Sequence, residues 1–335
     1  MDLSRLPRRR YSQGPTPIER LERFSRALGV DGPTVYIKRD DLLGLAGGGN
    51  KARKLEFLVA EALAQGADTL ITCGGVQSNH CRLTLSAAAR EGLHCRLVLA
   101  ESTPGGYRPD GNGNVLLYHL LGAERIITVP WGSDLLAALE QAGTQARAEG
   151  RRPYLIPLGG SNPLGALGYV SCAQELLAQA GETGLALHQI VLPVGSAGTL
   201  AGLLLGLRAG GSAIPVTGVT VMNPRAAAEA AALDLIHATA RFLGEATAIP
   251  AQQVTCLDDY LGAGYTVPTG GMLEAVALLA RTEGILLDPT YSGKAMAGLI
   301  DLARRGRFAR GENVLFLHTG GAPGLYARPE LFAKG

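Results

Sequence analysis

Short apolar runs rich in β-branched residues alternate along this chain with longer stretches in which apolar positions recur every third or fourth residue. The runs fall at residues 69–73, 94–99, 125–129, 154–156, 189–194, 216–221 and 314–317, and each reads as a buried strand. Between them, Leu55, Leu58, Val59, Ala62 and Leu63 share one helical stripe that stops at Gly66, a residue suited to the left-handed turn that closes a helix. Comparable stripes follow Ser78, Leu164, Thr199, Gly271 and Gly293. Strand, glycine-bearing turn and helix, repeated, is the pattern of parallel α/β units.

A length of 335 residues exceeds what one minimal core needs and suits two lobes. No Ser/Pro linker or charge block divides the chain. The clusters Gly47-Gly48-Gly49-Asn50 and Gly159-Gly160-Ser161-Asn162 are therefore the hinge candidates. A crossing there leaves residues 52–160 as a smaller inserted α/β domain and joins 1–51 with 161–335 in a larger one. With 31 basic and 29 acidic side chains the net charge is +2, so nucleic acid and acidic membrane surfaces are not expected partners. The apolar segments stop short of the ~20 residues of a membrane helix. Arg8-Arg9-Arg10 is not followed by the apolar stretch of an export signal. The five cysteines are scattered without a C-x-x-C pair, which suits reduced thiols and a cytoplasmic location and gives no metal-ligand pattern.

Candidate chemistry gathers at the turns. Gly47-Gly48-Gly49-Asn50-Lys51 runs into a helical stripe, placing Lys51 at or just before a helix N-terminus, where partial positive charge disfavours the ammonium form. A neutral lysine is a nucleophile toward an aldehyde, whereas a plain surface loop would leave it solvated. Gly195-Ser196-Ala197-Gly198-Thr199 links the strand at 189–194 to a helix. It is either an ordinary tight connection or a cradle of backbone N–H groups for one phosphate, being neither a P-loop nor a dinucleotide turn. Gln77-Ser78-Asn79-His80 follows the strand at 69–73; Ser78 or Asn79 can cap the next helix and still face a ligand crevice at the carboxyl end of the sheet. His80 is as readily a local hydrogen-bonding residue as a base. Asp288-Pro289-Thr290-Tyr291-Ser292-Gly293-Lys294 and His318-Thr319-Gly320-Gly321 also lie at element ends, where Tyr291 can stack on a ring or move a proton.

In this order, together with Pro15-Thr16-Pro17, Ile37-Lys38-Arg39-Asp40-Asp41 and Asn50-Lys51-Ala52-Arg53-Lys54, these segments resemble the fold-type-II pyridoxal-phosphate (PLP) enzymes. The branch is that of 1-aminocyclopropane-1-carboxylate (ACC) deaminase, D-cysteine desulfhydrase and L-cysteate sulfo-lyase, and the likeness runs from about Leu6 to Tyr326. It implies a two-lobed α/β fold of the tryptophan synthase β type, mostly parallel sheets flanked by helices, and a homodimer. It implies Lys51 as the Schiff-base lysine, with Lys54 and the turn of Ser196, Ala197, Gly198 and Thr199 on the phosphate. Asn79 would hold the ring hydroxyl and Thr319 would face the pyridine nitrogen. Ser78 would grip a substrate carboxylate or relay a proton. Asn79, His80, Tyr265 and Tyr291 would line the substrate, a small amino acid.

The subtype follows from departures. ACC deaminases of this branch carry glutamate at the place of Ser292, leucine at that of Thr319 and usually glutamine at that of His80. The residues here match the carbon-sulfur lyases, so the expected reaction is β-elimination from D-cysteine or L-cysteate to pyruvate and ammonia, with sulfide or sulfite released. ACC deamination is the alternative. A non-catalytic amino-acid sensor, the rival from another class, has no use for a cofactor lysine.

Overall fold

The computed structural model describes residues 1–245 and 249–333. In chain order the strands are β1 (Ile18–Arg20), β2 (Thr34–Arg39), β3 (Thr69–Gly75), β4 (His94–Glu101), β5 (Arg125–Pro130), β6 (Pro153–Ile156), β7 (Gln189–Val194), β8 (Val216–Thr220), β9 (Thr255–Leu257) and β10 (Asn313–His318). The helices are α1 (Glu22–Ala27), α2 (Lys51–Ala64), α3 (Asn79–Glu91), α4 (Asn114–Leu120), α5 (Leu135–Ala148), α6 (Pro163–Thr183), α7 (Gly198–Ala209), α8 (Arg225–Leu243), α9 (Gly270–Glu283), α10 (Ser292–Arg304) and α11 (Ala322–Tyr326). None is long and apolar enough to cross a membrane among the described residues.

Two sheets organise these elements. One has the order β1-β2-β10-β7-β8-β9, parallel except for the antiparallel edge pair β1 and β2; the other, β5-β4-β3-β6, is wholly parallel. The six-stranded sheet is covered on one face by α6, α7 and α8, through Leu167, Leu200, Leu204 and Ile236, and on the other by α1, α9 and α10, through Phe24, Leu279 and Leu299. The four-stranded sheet has α2 and α3 on one face and α5 on the other. Strands buried on both faces favour apolar residues at most positions, which is why they read as near-continuous runs.

The helix ends are written locally. Ser78 caps α3 by accepting from the Cys81 N–H, Asn162 caps α6 ahead of Pro163, and Gly92, Gly184 and Gly284 take left-handed conformations at the other ends. β2 was absent from the strand pattern because Lys38 and Arg39 break its apolar run. Lys38 is nevertheless fully buried, donating to Glu175 and Gln179 of α6 and to the Thr16 carbonyl. Arg53 joins the same network by gripping Asp40 and Glu175.

Candidate functional site

The carboxyl ends of β3, β6, β7 and β10 face a cleft between the two sheets, and each strand there runs into glycine: Gly74-Gly75, Gly159-Gly160, Gly195 and Gly320-Gly321. This is where parallel α/β folds place ligands. Ser78, Asn79 and His80 line it from α3, and Ser196, Ala197, Gly198 and Thr199 from the start of α7. Lys51, Tyr265, Tyr291 and Thr319 line it as well.

Lys51 is the first residue of α2, and its Nζ donates to the Asn50 Oδ1 at 3.1 Å and lies 5.7 Å from the centre of the Tyr291 ring. Its pKa is pushed down to about 8, chiefly by burial, with Asp288 opposing and Arg82 adding to the fall. Burial by the surrounding fold is a cause that lies beyond the helix N-terminus at which the residue stands. Because the amine is neutral above that value, its covalent capture of added PLP is expected to speed up from about pH 7 and level off above about pH 9. Stopped-flow absorbance measures this directly, and a rate still climbing tenfold per unit beyond pH 9 would show an ordinary lysine.

Lys54, one turn on, is fully buried and donates to the Gly159 carbonyl at 2.9 Å and the Ser161 hydroxyl at 3.1 Å. Ser161 also lies 2.8 Å from the Ser196 hydroxyl and accepts from the Gly198 N–H. A Cβ at Gly198 would sit 2.4 Å from the Ser161 Oγ and 2.7 Å from the Lys54 Nζ, so only glycine leaves the cradle open. Ala197 adopts a left-handed backbone with φ 62, and Asn50 ties the Lys51 loop to this turn by donating to Thr199 at 2.9 Å. An amine that can take a proton, beside backbone N–H groups at a helix start, makes an anion cradle. Ser161 was read only as part of a hinge candidate; its position after a strand and before a helix was the available signal.

On the opposite wall, Ser78 is buried, and the hydroxyl oxygen that caps α3 keeps its proton free to donate. The Tyr265 and Tyr291 hydroxyls are 2.5 Å apart and their rings meet edge-on, while Trp131, from the segment after β5, stacks on Tyr265 at 5.7 Å. Burial pushes Tyr265 up to about 12 and raises Tyr291 well above the ordinary tyrosine range, so both are proton donors at neutral pH. His80 is buried with its Nε2 2.8 Å from the Thr72 hydroxyl, and its Nδ1 has no protein partner among the described residues. Burial and the two lysines hold its pKa well below the usual histidine range, which favours a neutral imidazole. Thr319 borders the cleft, and its carbonyl accepts from the Asn50 N–H. Ser292 lies behind, fully buried; its hydroxyl donates to Asp288, whose carboxylate also accepts from the N–H groups of Thr290, Tyr291 and Ser292.

Lys51, Lys54 and the buried Arg82 bring three basic side chains to this region, and the Lys54 Nζ has only a carbonyl and a hydroxyl to satisfy it. A cradle that a single Cβ would fill, basic side chains without a carboxylate partner and a lowered lysine pKa fit a flat, anionic, aldehyde-bearing cofactor. No group of three His, Cys, Asp or Glu suited to a metal occurs among the described residues.

A crystal structure described as that of an ACC deaminase homologue superposes with a TM-score of 0.87 at 38% identity, covering 98% of this chain and 96% of that one. The structure of a mutant O-ureido-L-serine synthase with O-ureido-L-serine bound is 20% identical, with a TM-score of 0.66 over 97% of this chain and 94% of that one, a likeness of fold alone. The family model described as pyridoxal-phosphate dependent enzyme matches residues 10–320. The chain belongs to the pyridoxal-phosphate dependent enzymes.

Proposed function

We propose that the protein is a carbon-sulfur lyase that converts a cysteine-type amino acid, D-cysteine or L-cysteate, to pyruvate and ammonia with release of sulfide or sulfite. PLP, held by Lys51, Lys54 and the turn 196–199, supplies an aldehyde that condenses with amines and a ring that withdraws electrons from the substrate α-carbon. The Lys51 amine, with a pKa of about 8, is suited to take the α-proton once it is free. Ser78 donates its hydroxyl to the substrate carboxylate. Tyr265 and Tyr291, both protonated, join in one hydrogen bond, which leaves one of the two hydroxyl protons to offer to a departing sulfur.

One observation carries the choice of reaction. The wall of the cleft bearing Thr319 presents a neutral hydroxyl, and Ser292 spends its own on Asp288 instead of facing the cleft. A neutral neighbour supports less charge on the ring than a carboxylate would. β-Elimination tolerates this because the leaving sulfur carries the charge away, whereas opening a cyclopropane has no such outlet. The likeness to a structure described as an ACC deaminase homologue supports ACC deamination as the second reading. Separate incubations with D-cysteine, L-cysteine, L-cysteate and ACC distinguish them. Pyruvate with sulfide or sulfite is expected, and efficient deamination of ACC would overturn the proposal.

Ser78→Ala is expected to lower kcat by more than it weakens cofactor binding, with a loss of about 1 kcal/mol in stability from the missing helix cap. A variant with weakened cofactor affinity and unchanged kcat would remove Ser78 from the substrate side.

A further inference from the structure

Arg82 is fully buried on α3, and none of its hydrogen bonds goes to a carboxylate. Its Nε donates to the Asn114 Oδ1 at 2.8 Å, one terminal nitrogen to the Ala46 carbonyl, and the other to the Gly48 carbonyl at 3.1 Å and the Asn79 Oδ1 at 3.5 Å. A guanidinium can only donate, and that fixes a direction for the whole chain of amides. Asn114 must turn its oxygen to Arg82, so its NH2 points the other way, donating to the Gln77 carbonyl and the Asn79 Oδ1, each at 3.0 Å. Asn79 must then spend its oxygen on Asn114 and Arg82, which leaves its NH2 as the end without a protein partner among the described residues. Asn79 borders the cleft. Reversing its amide would bring two NH2 groups together, and reversing Asn114 to compensate would set an NH2 against the Arg82 N–H.

We propose that Arg82 and Asn114 are positioning residues that lock the Asn79 carboxamide with its NH2 toward the cleft, making this wall selective for an oxyanion: the ring oxygen of PLP. This rests on the cofactor reading above. The same guanidinium, through Ala46 and Gly48, holds the glycine loop that leads into Lys51, so the lysine and the Asn79 donor are registered by one side chain. Arg82 carries a buried charge that no carboxylate neutralises, and burial lowers its pKa to about 10. An anionic ligand at this place offsets part of that cost.

The test uses the full-length apoprotein and two ligands that cannot bind covalently: deoxypyridoxine phosphate, which lacks the aldehyde, and its counterpart that also lacks the ring oxygen. Equilibrium dialysis of the native chain is expected to favour the first by about tenfold or more, the worth of a charge-assisted hydrogen bond. Asn114→Asp preserves shape and still accepts from Arg82 but cannot donate to Asn79, whose amide then reverses. The preference is expected to vanish, while affinity for the ligand without the ring oxygen changes by less than about threefold, a margin under 1 kcal/mol. Arg82→Met is expected to lose the preference too, and Arg82→Lys, still a pure donor, to restore part of it. A preference unchanged in Asn114→Asp or in Arg82→Met overturns the positioning role. Failure of the native chain to bind either ligand overturns the cofactor reading itself and is distinguishable on that account.

Discussion

Lys51→Ala is expected to leave a folded protein that still takes up PLP reversibly but turns over substrate at least about a thousandfold more slowly, the scale of losing a covalent anchor and a general base together. The fold should survive because Lys51 makes one side-chain hydrogen bond, to its neighbour Asn50, and alanine favours the first turn of α2. Removing a half-buried amine also removes a desolvation cost. Two measurements decide it. After borohydride treatment and digestion, the native chain should yield a cofactor-modified peptide containing Lys51 and the variant none, while circular dichroism shows both folded. A folded variant with activity within tenfold of native would end the assignment of this lysine.

Lys54→Met should separate stability from function. Lys54 is fully buried, has no carboxylate partner, and is held well below the ordinary lysine range by burial and by Lys51. Methionine of similar length removes a buried polar group that no carboxylate pairs, and with it a desolvation cost, so the apoprotein should melt no lower than native. PLP affinity should nevertheless fall by about 30- to 1000-fold, corresponding to about 2–4 kcal/mol for a desolvated charge-assisted contact to the phosphate. Calorimetry of the apoprotein and titration with PLP read the two effects separately. Undiminished affinity would mean that the cradle at 196–199 holds the phosphate without this lysine.

How far these features were legible in the sequence differs from element to element. β3, β7 and β10 stood out because strands covered on both faces are largely apolar, and β4 did so through Leu97–Leu99 despite the buried Arg96. β9, of three residues, is too short for periodicity to show, and the alanine-rich α8 carries little contrast between its faces. β2 was hidden by Lys38, a residue that local rules send to solvent. Nothing near it in sequence announces Glu175, the partner that makes its burial affordable.

The same division runs through the site. By itself the sequence determined the turns and what they carry: glycines before Lys51, a serine capping α3, a glycine-serine turn opening α7. Backbone conformation and capping depend on residues a few positions apart, so a linear reading reaches them. Only the tertiary structure decided that these turns meet at one cleft, that Ser161 joins Lys54 and Ser196, that Ser292 faces Asp288, and that Arg82 orients Asn79 through Asn114. Lys54 and Gly159 are 105 positions apart, and Asn50 and Thr199 are 149. Such contacts arise from how sheets and helices pack. Burial then sets the charge state of Lys51 and His80, because desolvation depends on everything that surrounds a group and not on its neighbours in the chain.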